Sequence, residues 1–179
     1  MNPTVVISGS FRKYLAEIGR AAFNFRRSGI QVLTPLTPDT INSEEEFVRL
    51  ITDDPKKSAV VLEKEFMSHI SEADFLYVAN VEGYIGKSVA AEMSFAIIHN
   101  IPIIADQEIG KWSEEISAEV KIILKRSVYK YLPIKNIDQH TIEALSLTNA
   151  FRGGISTKEK SACYSLIEHL LEELKHVKL

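Results

Sequence analysis

The sequence has few of the residues on which disulfide-linked, metal-binding or membrane proteins depend. Cys163 is the only cysteine among 179 residues, which excludes a disulfide framework and a zinc site built on cysteines. The histidines form no HExxH or related ligand spacing. No apolar run approaches the roughly 18 residues that cross a bilayer, and the opening residues turn polar too early for a signal peptide. We therefore expect a cytoplasmic protein without metal, cofactor or membrane contact.

An excess of charge of either sign is also missing. The formal net charge is −3, which gives no basic surface for a nucleic-acid partner. Hydrophobic residues make up 45% and charged residues 25%, which excludes a disordered chain. The length fits a single domain over residues 1–179.

Short β-branched runs alternate with amphipathic helical segments along the first part of the chain. The runs expected to be strands are residues 4–8, 30–33, 74–78 and 101–105. Helices are expected before Gly29, which suits a left-handed C-cap, and over residues 58–72 and 88–99. This alternation predicts an α/β, flavodoxin-like (Rossmann-like) three-layer sandwich with a parallel sheet over residues 1–110.

Residues 111–179 are expected to be a helical C-terminal elaboration. The pattern predicts a helix over 113–125 capped by Ser113, a fifth strand over 128–132 and a helix over 137–147. Residues 151–154 (FRGG) are expected to interrupt the secondary structure between two helices. A capping box of Ser156 and Glu159 then starts a last helix, with Leu166, Leu170 and Leu174 on one face.

The segment of residues 34–57 differs from its surroundings. It contains three prolines and an acidic cluster, and Ser43 with Glu46 fits a capping box. Two interpretations stay open with equal weight, a solvated surface excursion and a lid over a substrate.

The first candidate site follows the first strand. Ser8, Gly9 and Ser10 would form a turn whose backbone N–H groups, at a helix N-terminus, bind an anion. Arg12 can hold a phosphate or carboxylate through two parallel hydrogen bonds. The structural alternative is a plain turn in which Ser10 only caps the helix.

The second candidate site is a glycine-bracketed loop that leads into a helix. Its candidate binding residues are Gly83, Tyr84, Gly86, Lys87 and Ser88. Glu92 comes four residues after Ser88, on the same helical face, and helical side chains lean toward the N-terminus. We therefore expect the Glu92 carboxylate to face the loop as a nucleophile or base, although a capped helix with an exposed glutamate has the same pattern.

A third candidate stands at the end of the fourth strand. Asp106 could accept a hydrogen bond from a ribose hydroxyl, but an aspartate that starts a loop is the commoner reason for this position.

Three segments, in this order, resemble the nucleoside 2-deoxyribosyltransferase superfamily, which includes the 2′-deoxynucleoside 5′-phosphate N-hydrolases. They are VISGSFRKY, SGIQVLTP and EADFLYVANVEGYIGKSVAAEMSFAIIHNIPIIA, within residues 5–105. The resemblance implies that Glu92 attacks the anomeric carbon and that the GSFR segment holds a phosphate. It also implies a nucleoside or nucleotide as the small-molecule partner and a homo-oligomer, which the leucine stripe of the last helix would suit.

The chain departs from this pattern at the acid–base partner of the nucleophile. The transferases carry an aspartate where this chain has Gly86, and the superfamily carries another where it has Phe66. Glu65 is the candidate substitute, although a shift of one residue rotates a helical side chain by about 100°.

The favoured function is therefore cleavage or transfer at an N-glycosidic bond. The missing acid keeps a second hypothesis open, a nucleotide-binding sensor without catalysis. A phosphoribohydrolase is a weaker alternative, because the PGGxGT loop of that family is missing from the sequence.

Overall fold

The computed structural model of the chain describes residues 2–42, 45, 47–147 and 155–177. The strands are β1 (Thr4–Ser8), β2 (Gln31–Thr34), β3 (Phe75–Val78), β4 (Tyr84–Ile85), β5 (Ile103–Ala105), β6 (Lys111–Trp112) and β7 (Val128–Tyr131). The helices are α1 (Phe11–Arg27), α2 (Ala59–Glu72), α3 (Lys87–Ile98), α4 (Ala118–Ser127), α5 (Gln139–Glu143) and α6 (Thr157–Leu174). Short 3-10 turns lie at Val81–Gly83 and Ile134–Asn136.

The central sheet has five parallel strands in the order β2-β1-β3-β5-β7. This is the strand order of a flavodoxin-like doubly wound sheet, so the predicted fold class is confirmed. The order reverses between β1 and β3, because β2 and β3 lie on opposite sides of β1. Ligands of such sheets bind beyond the carboxyl ends of the strands at this reversal.

Successive residues of each strand face opposite layers, which divides the core in two. Val6 and Leu76 pack against α2, α3 and α6 on one face of the sheet. Phe25 of α1 packs on the other face, against Phe75 and Tyr77 with edge-to-face ring contacts. The strands are buried on both faces, which explains why their sequences read as continuous apolar runs.

The predicted signals at helix ends are confirmed in part. Gly29 has φ of +83°, the left-handed value expected after α1. Helix α4 is capped by Ser117 and not by Ser113, because the Ser113 N–H donates to the Ile85 carbonyl beside the β4–β6 pair. Only residues 139–143 of the expected helix over 137–147 form α5. The Ser43–Glu46 capping box and the break at residues 151–154 lie outside the described residues.

The region after residue 110 supplies the predicted fifth strand as well as helices. The Ser156–Glu159 capping box is present at the start of α6. The leucine stripe of α6 packs against α3 in the core of the chain itself. It is therefore not free for a partner, and the expected homo-oligomer stays a prediction that depends on the resemblance alone. None of the helices in the described part of the chain is both long and apolar enough to cross a bilayer.

Candidate functional site

A cavity of about 500 Å³ opens where β1 and β2 end, a volume typical of small-molecule sites. The first turns of α1 and α3 form one wall, and α2 forms the other together with side chains from residues 33–36 and 47–57. The predicted candidates that line it are Gly9, Ser10, Arg12, Tyr84, Gly86, Lys87, Ser88, Glu92 and Glu65. The turn after β1 and the glycine loop therefore converge on one site, as the sequence predicts.

Glu92 lies on the second turn of α3, and its side chain reaches back toward the start of the helix. The residue is 5% exposed and lines the cavity. The Ser8 hydroxyl donates a hydrogen bond of 2.6 Å to Oε2 of Glu92. Ser8 itself is fully buried and does not line the cavity, so it holds the carboxylate in place where the sequence led us to expect a phosphate contact.

Glu63 of α2 is the second carboxyl group of the site, and it is not among the site residues predicted from the sequence. It is 7% exposed and lines the same cavity, and it lies close enough to Glu92 for the two carboxyl groups to shift each other's pKa. Its Oε1 atom has no protein partner among the described residues. Glu63 precedes Phe66 by three residues and so shares its helical face, a signal that was present in the sequence.

Glu65, the predicted substitute for the missing acid, has a different environment. Its side chain is about half exposed and forms an ion pair with Lys57 at the rim of the cavity. One residue of helical rotation separates Glu65 from the face that carries Phe66, which explains why it does not reach Glu92.

The burial of the two glutamates controls their protonation. Burial raises the pKa of Glu63 to about 7, and the hydrogen bond with Glu92 opposes this rise. Burial also raises the pKa of Glu92 well above its usual value. The charge of Glu63 and the hydrogen bond with Glu63 add to this rise, and the hydrogen bond from Ser8 opposes it. Since two adjacent buried carboxylates repel each other, the pair holds a shared proton near neutral pH. The arrangement can thus supply one carboxylate and one carboxylic acid side by side.

The first turn of α1 provides the free positive charge of the cavity. Ser10 caps the helix and accepts from the Lys13 backbone N–H at 3.3 Å. Arg12 is exposed and forms no ion pair in the described part of the chain. The ammonium group of Lys13 lies 4.1 Å from the centroid of the Tyr84 ring. This end of the cavity therefore suits an anionic group.

Lys87 lines the cavity but is already engaged by acidic groups. Its ammonium group donates to Glu173 of α6 and lies 3.8 Å from Glu115. A phosphate would meet Lys87 only in competition with these two carboxylates.

Two predicted candidates have structural roles away from the cavity. Gly83 has φ of +74°, and a Cβ there would lie 2.7 Å from the Glu108 carbonyl oxygen, so the turn needs glycine. Asp106 is buried and accepts from the Ile134 N–H at 2.9 Å and from Gln107. Neither residue lines the cavity, and the structural explanation of Asp106 is the one that its contacts support.

The described residues of the segment 34–57 cover one side of the cavity. Leu36, Phe47 and Leu50 line it with apolar surface. Arg49 is nearly buried and donates to the Pro55 and Lys57 carbonyls, which holds the end of the segment together. This position favours the covering role over a purely solvated excursion.

The described residues contain no group of three or more His, Cys, Asp or Glu side chains that could hold a metal ion. Neither a protein-family model nor a curated protein matches this chain. The family that the sequence resembles therefore stays a prediction, and the functional argument depends on the geometry of the site.

Proposed function

We propose that this chain cleaves or transfers the N-glycosidic bond of a nucleoside or nucleoside 5′-monophosphate, as a relative of the nucleoside 2-deoxyribosyltransferases. The observation that carries the proposal is the buried pair of Glu63 and Glu92 in the wall of the cavity. Glycoside cleavage needs a carboxylate at the anomeric carbon and an acid for the leaving group, and this pair supplies both.

Each carboxyl group has a defined task in this reaction. The Glu92 carboxylate bonds to C1′ of the sugar while the bond from C1′ to the base nitrogen breaks. The electron pair of that bond stays with the base, which takes the proton of Glu63 and leaves. Water or an acceptor base then attacks C1′, displaces Glu92 and returns its proton to Glu63. The reaction needs the shared proton on Glu63 and the charge on Glu92. Ser8 favours the charged form of Glu92 by donating to it, which opposes the rise in the pKa of Glu92.

The remaining walls of the cavity suit the other parts of such a substrate. The first turn of α1, with Ser10 and the unpaired Arg12, would hold a 5′-phosphate. The base would extend the opposite way from C1′, toward the apolar side chains of Phe47 and Phe66.

The sensor hypothesis drew its support from the missing second carboxylate. Glu63 provides such a group one helical turn before Phe66, so the enzyme hypothesis is the better supported of the two. Two buried carboxyl groups with raised pKa values in the wall of a cavity are typical of a catalytic site.

A panel of nucleosides and their 5′-monophosphates, with ribose and with 2′-deoxyribose, tests the proposal. Free base is measured by chromatography with and without a second base as acceptor. We expect release from at least one compound, and its loss in Glu92→Gln. Tight binding of a panel member without release of base from any of them would reject the enzyme and favour the sensor.

A further inference from the structure

Lys87 links the cavity to the C-terminal helix through charge. Its side chain is 13% exposed, whereas those of its partners Glu173 and Glu115 are 53% and 61% exposed. Glu115 lies at the rim of the cavity, and Glu173 comes from the last turn of α6 and does not line it. Two largely solvated carboxylates thus hold one largely buried ammonium group.

Lys87 differs in this respect from Arg12 and Lys13, the cations at the end of the cavity that suits an anionic group. Among the described residues, neither Arg12 nor Lys13 forms an ion pair, and the ammonium group of Lys13 contacts the Tyr84 ring. The first-turn N–H groups of α3 attract an anion, but the positive charge of Lys87 beside them is already neutralised by Glu173 and Glu115. The same cavity contains Glu63 Oε1, a buried oxygen that has no hydrogen-bond partner among the described residues.

We propose that Glu173 and Glu115 set the affinity of the site for the phosphate of its substrate by competing with that phosphate for Lys87. The inference rests on the proposed function, since it concerns the same site. A phosphate that reaches the first turn of α3 gains Lys87 only when Glu173 releases it. An unphosphorylated nucleoside leaves the ion pair intact. Glu173, outside the cavity, therefore weakens the preference for phosphorylated substrates.

Titration with inorganic phosphate by calorimetry tests the inference without any need for turnover. We expect Glu173→Gln to bind phosphate about three- to fivefold more tightly than the wild type at low salt, because a partly exposed ion pair contributes little and is screened. Glu172→Gln is the matched control: Glu172 lies next to Glu173 on α6, pairs with Lys175 at 2.7 Å and does not contact Lys87. We expect this control to bind phosphate like the wild type.

The double variant Lys87→Met/Glu173→Gln identifies the route of the effect. The gain in phosphate affinity should disappear in this variant, and its persistence would overturn the inference. Unchanged or weaker phosphate binding in Glu173→Gln would overturn it as well, since Glu173 would then only position Lys87. Circular dichroism spectra that match the wild type show that each variant is folded.

Kinetics distinguish this inference from the proposed function. Glu173→Gln should lower KM for a nucleoside 5′-monophosphate and leave KM for the matching nucleoside and both kcat values unchanged. If no compound releases base, the proposed function fails while the phosphate titrations still decide the role of Glu173. If base is released but the ratio of the two KM values is the same in the wild type and Glu173→Gln, only the present inference fails.

Discussion

The carboxyl groups of Glu63 and Glu92 lie side by side in the wall of one cavity, although 28 residues of sequence, including β3 and β4, lie between them. Helix α2 precedes β3 in the chain and the glycine loop follows it. Helix α3 then packs beside α2 on the same face of the sheet. Two glutamates on facing helices thus become neighbours. Their burial favours a shared proton over two charges, which is the state that acid-assisted attack on a glycosidic bond needs.

Replacement of Glu92 tests the nucleophile. Glu92→Gln keeps the size of the side chain and the contact with Ser8 but cannot bond to C1′ as a carboxylate. We expect base release to fall by at least about 1000-fold, with little change in the affinity for a 5′-monophosphate. Single-turnover assays with titration calorimetry measure the two effects separately. A loss of less than tenfold would show that Glu92 is not the attacking group.

Replacement of Glu63 tests the acid, and Glu65 offers a control on the same helix. Glu63→Gln should reduce kcat by about 100- to 10,000-fold, the range for removal of a general acid. The loss should be smallest for substrates whose base is a good leaving group and needs no proton. Glu65→Gln removes only the rim ion pair with Lys57 and should change kcat by less than tenfold. A larger loss of kcat in Glu65→Gln than in Glu63→Gln would show that Glu65 is the general acid.

The hydrogen bond from Ser8 should appear in the pH profile. It lowers the pKa of Glu92, so Ser8→Ala should move the acidic limb of the kcat/KM profile to higher pH. Ser94→Ala is the matched control, because Ser94 is a buried serine of α3 that donates to the Ala90 carbonyl. Its acidic limb should stay at the wild-type position. Coincident profiles for all three proteins would show that Ser8 does not act on Glu92.

The raised pKa of Glu63 predicts how stability changes with pH. Glu63 titrates at about 7 in the folded chain and at 4.5 when unperturbed, so the unfolded chain releases this proton more readily. Stability should therefore be highest below about pH 4.5 as far as this group is concerned, and should fall as the pH rises to about 7.

Glu63→Gln removes this dependence. Relative to the wild type, its free energy of unfolding should rise by up to about 3 kcal/mol between pH 5 and pH 8. Urea unfolding at the two pH values measures the difference. A gap between the two proteins that is the same at both pH values would mean that Glu63 titrates normally in the fold.

Much of the fold follows from local patterns in the sequence. The β-branched run at residues 4–8, Gly29 and the Ser156–Glu159 box each carry a local physical signal, and each is found where that signal places it. The glycine loop likewise places Glu92 correctly, because helix geometry alone fixes its distance from Ser88.

The remainder of the site depends on tertiary contacts. Glu63 reads as an ordinary polar position of α2, and only the packing of α2 against α3 buries it beside Glu92. The expectation of an acid at Phe66 or Glu65 came from fixed spacing in a family, whereas an acid one turn earlier on the same face reaches the same place. Glu173 follows no local signal, since it comes 86 positions after Lys87 in the chain.

Arg12 is expected to bind the 5′-phosphate at the end of the cavity that suits an anionic group. Arg12 is exposed at the first turn of α1 and has no ion pair among the described residues, so a bound phosphate would be its first charged partner. Arg12→Ala should weaken the binding of a nucleoside 5′-monophosphate by roughly 1.5 to 3 kcal/mol, or about 10- to 150-fold in Kd, and leave the binding of the matching nucleoside unaffected.

Arg20→Ala controls for net charge, since Arg20 is an exposed residue of the same helix that does not line the cavity. Calorimetric titrations of both ligands into the three proteins decide the matter. Equal weakening by the two substitutions would mean that the field of the whole helix attracts the phosphate, while equal weakening for both ligands in Arg12→Ala would place Arg12 at the sugar.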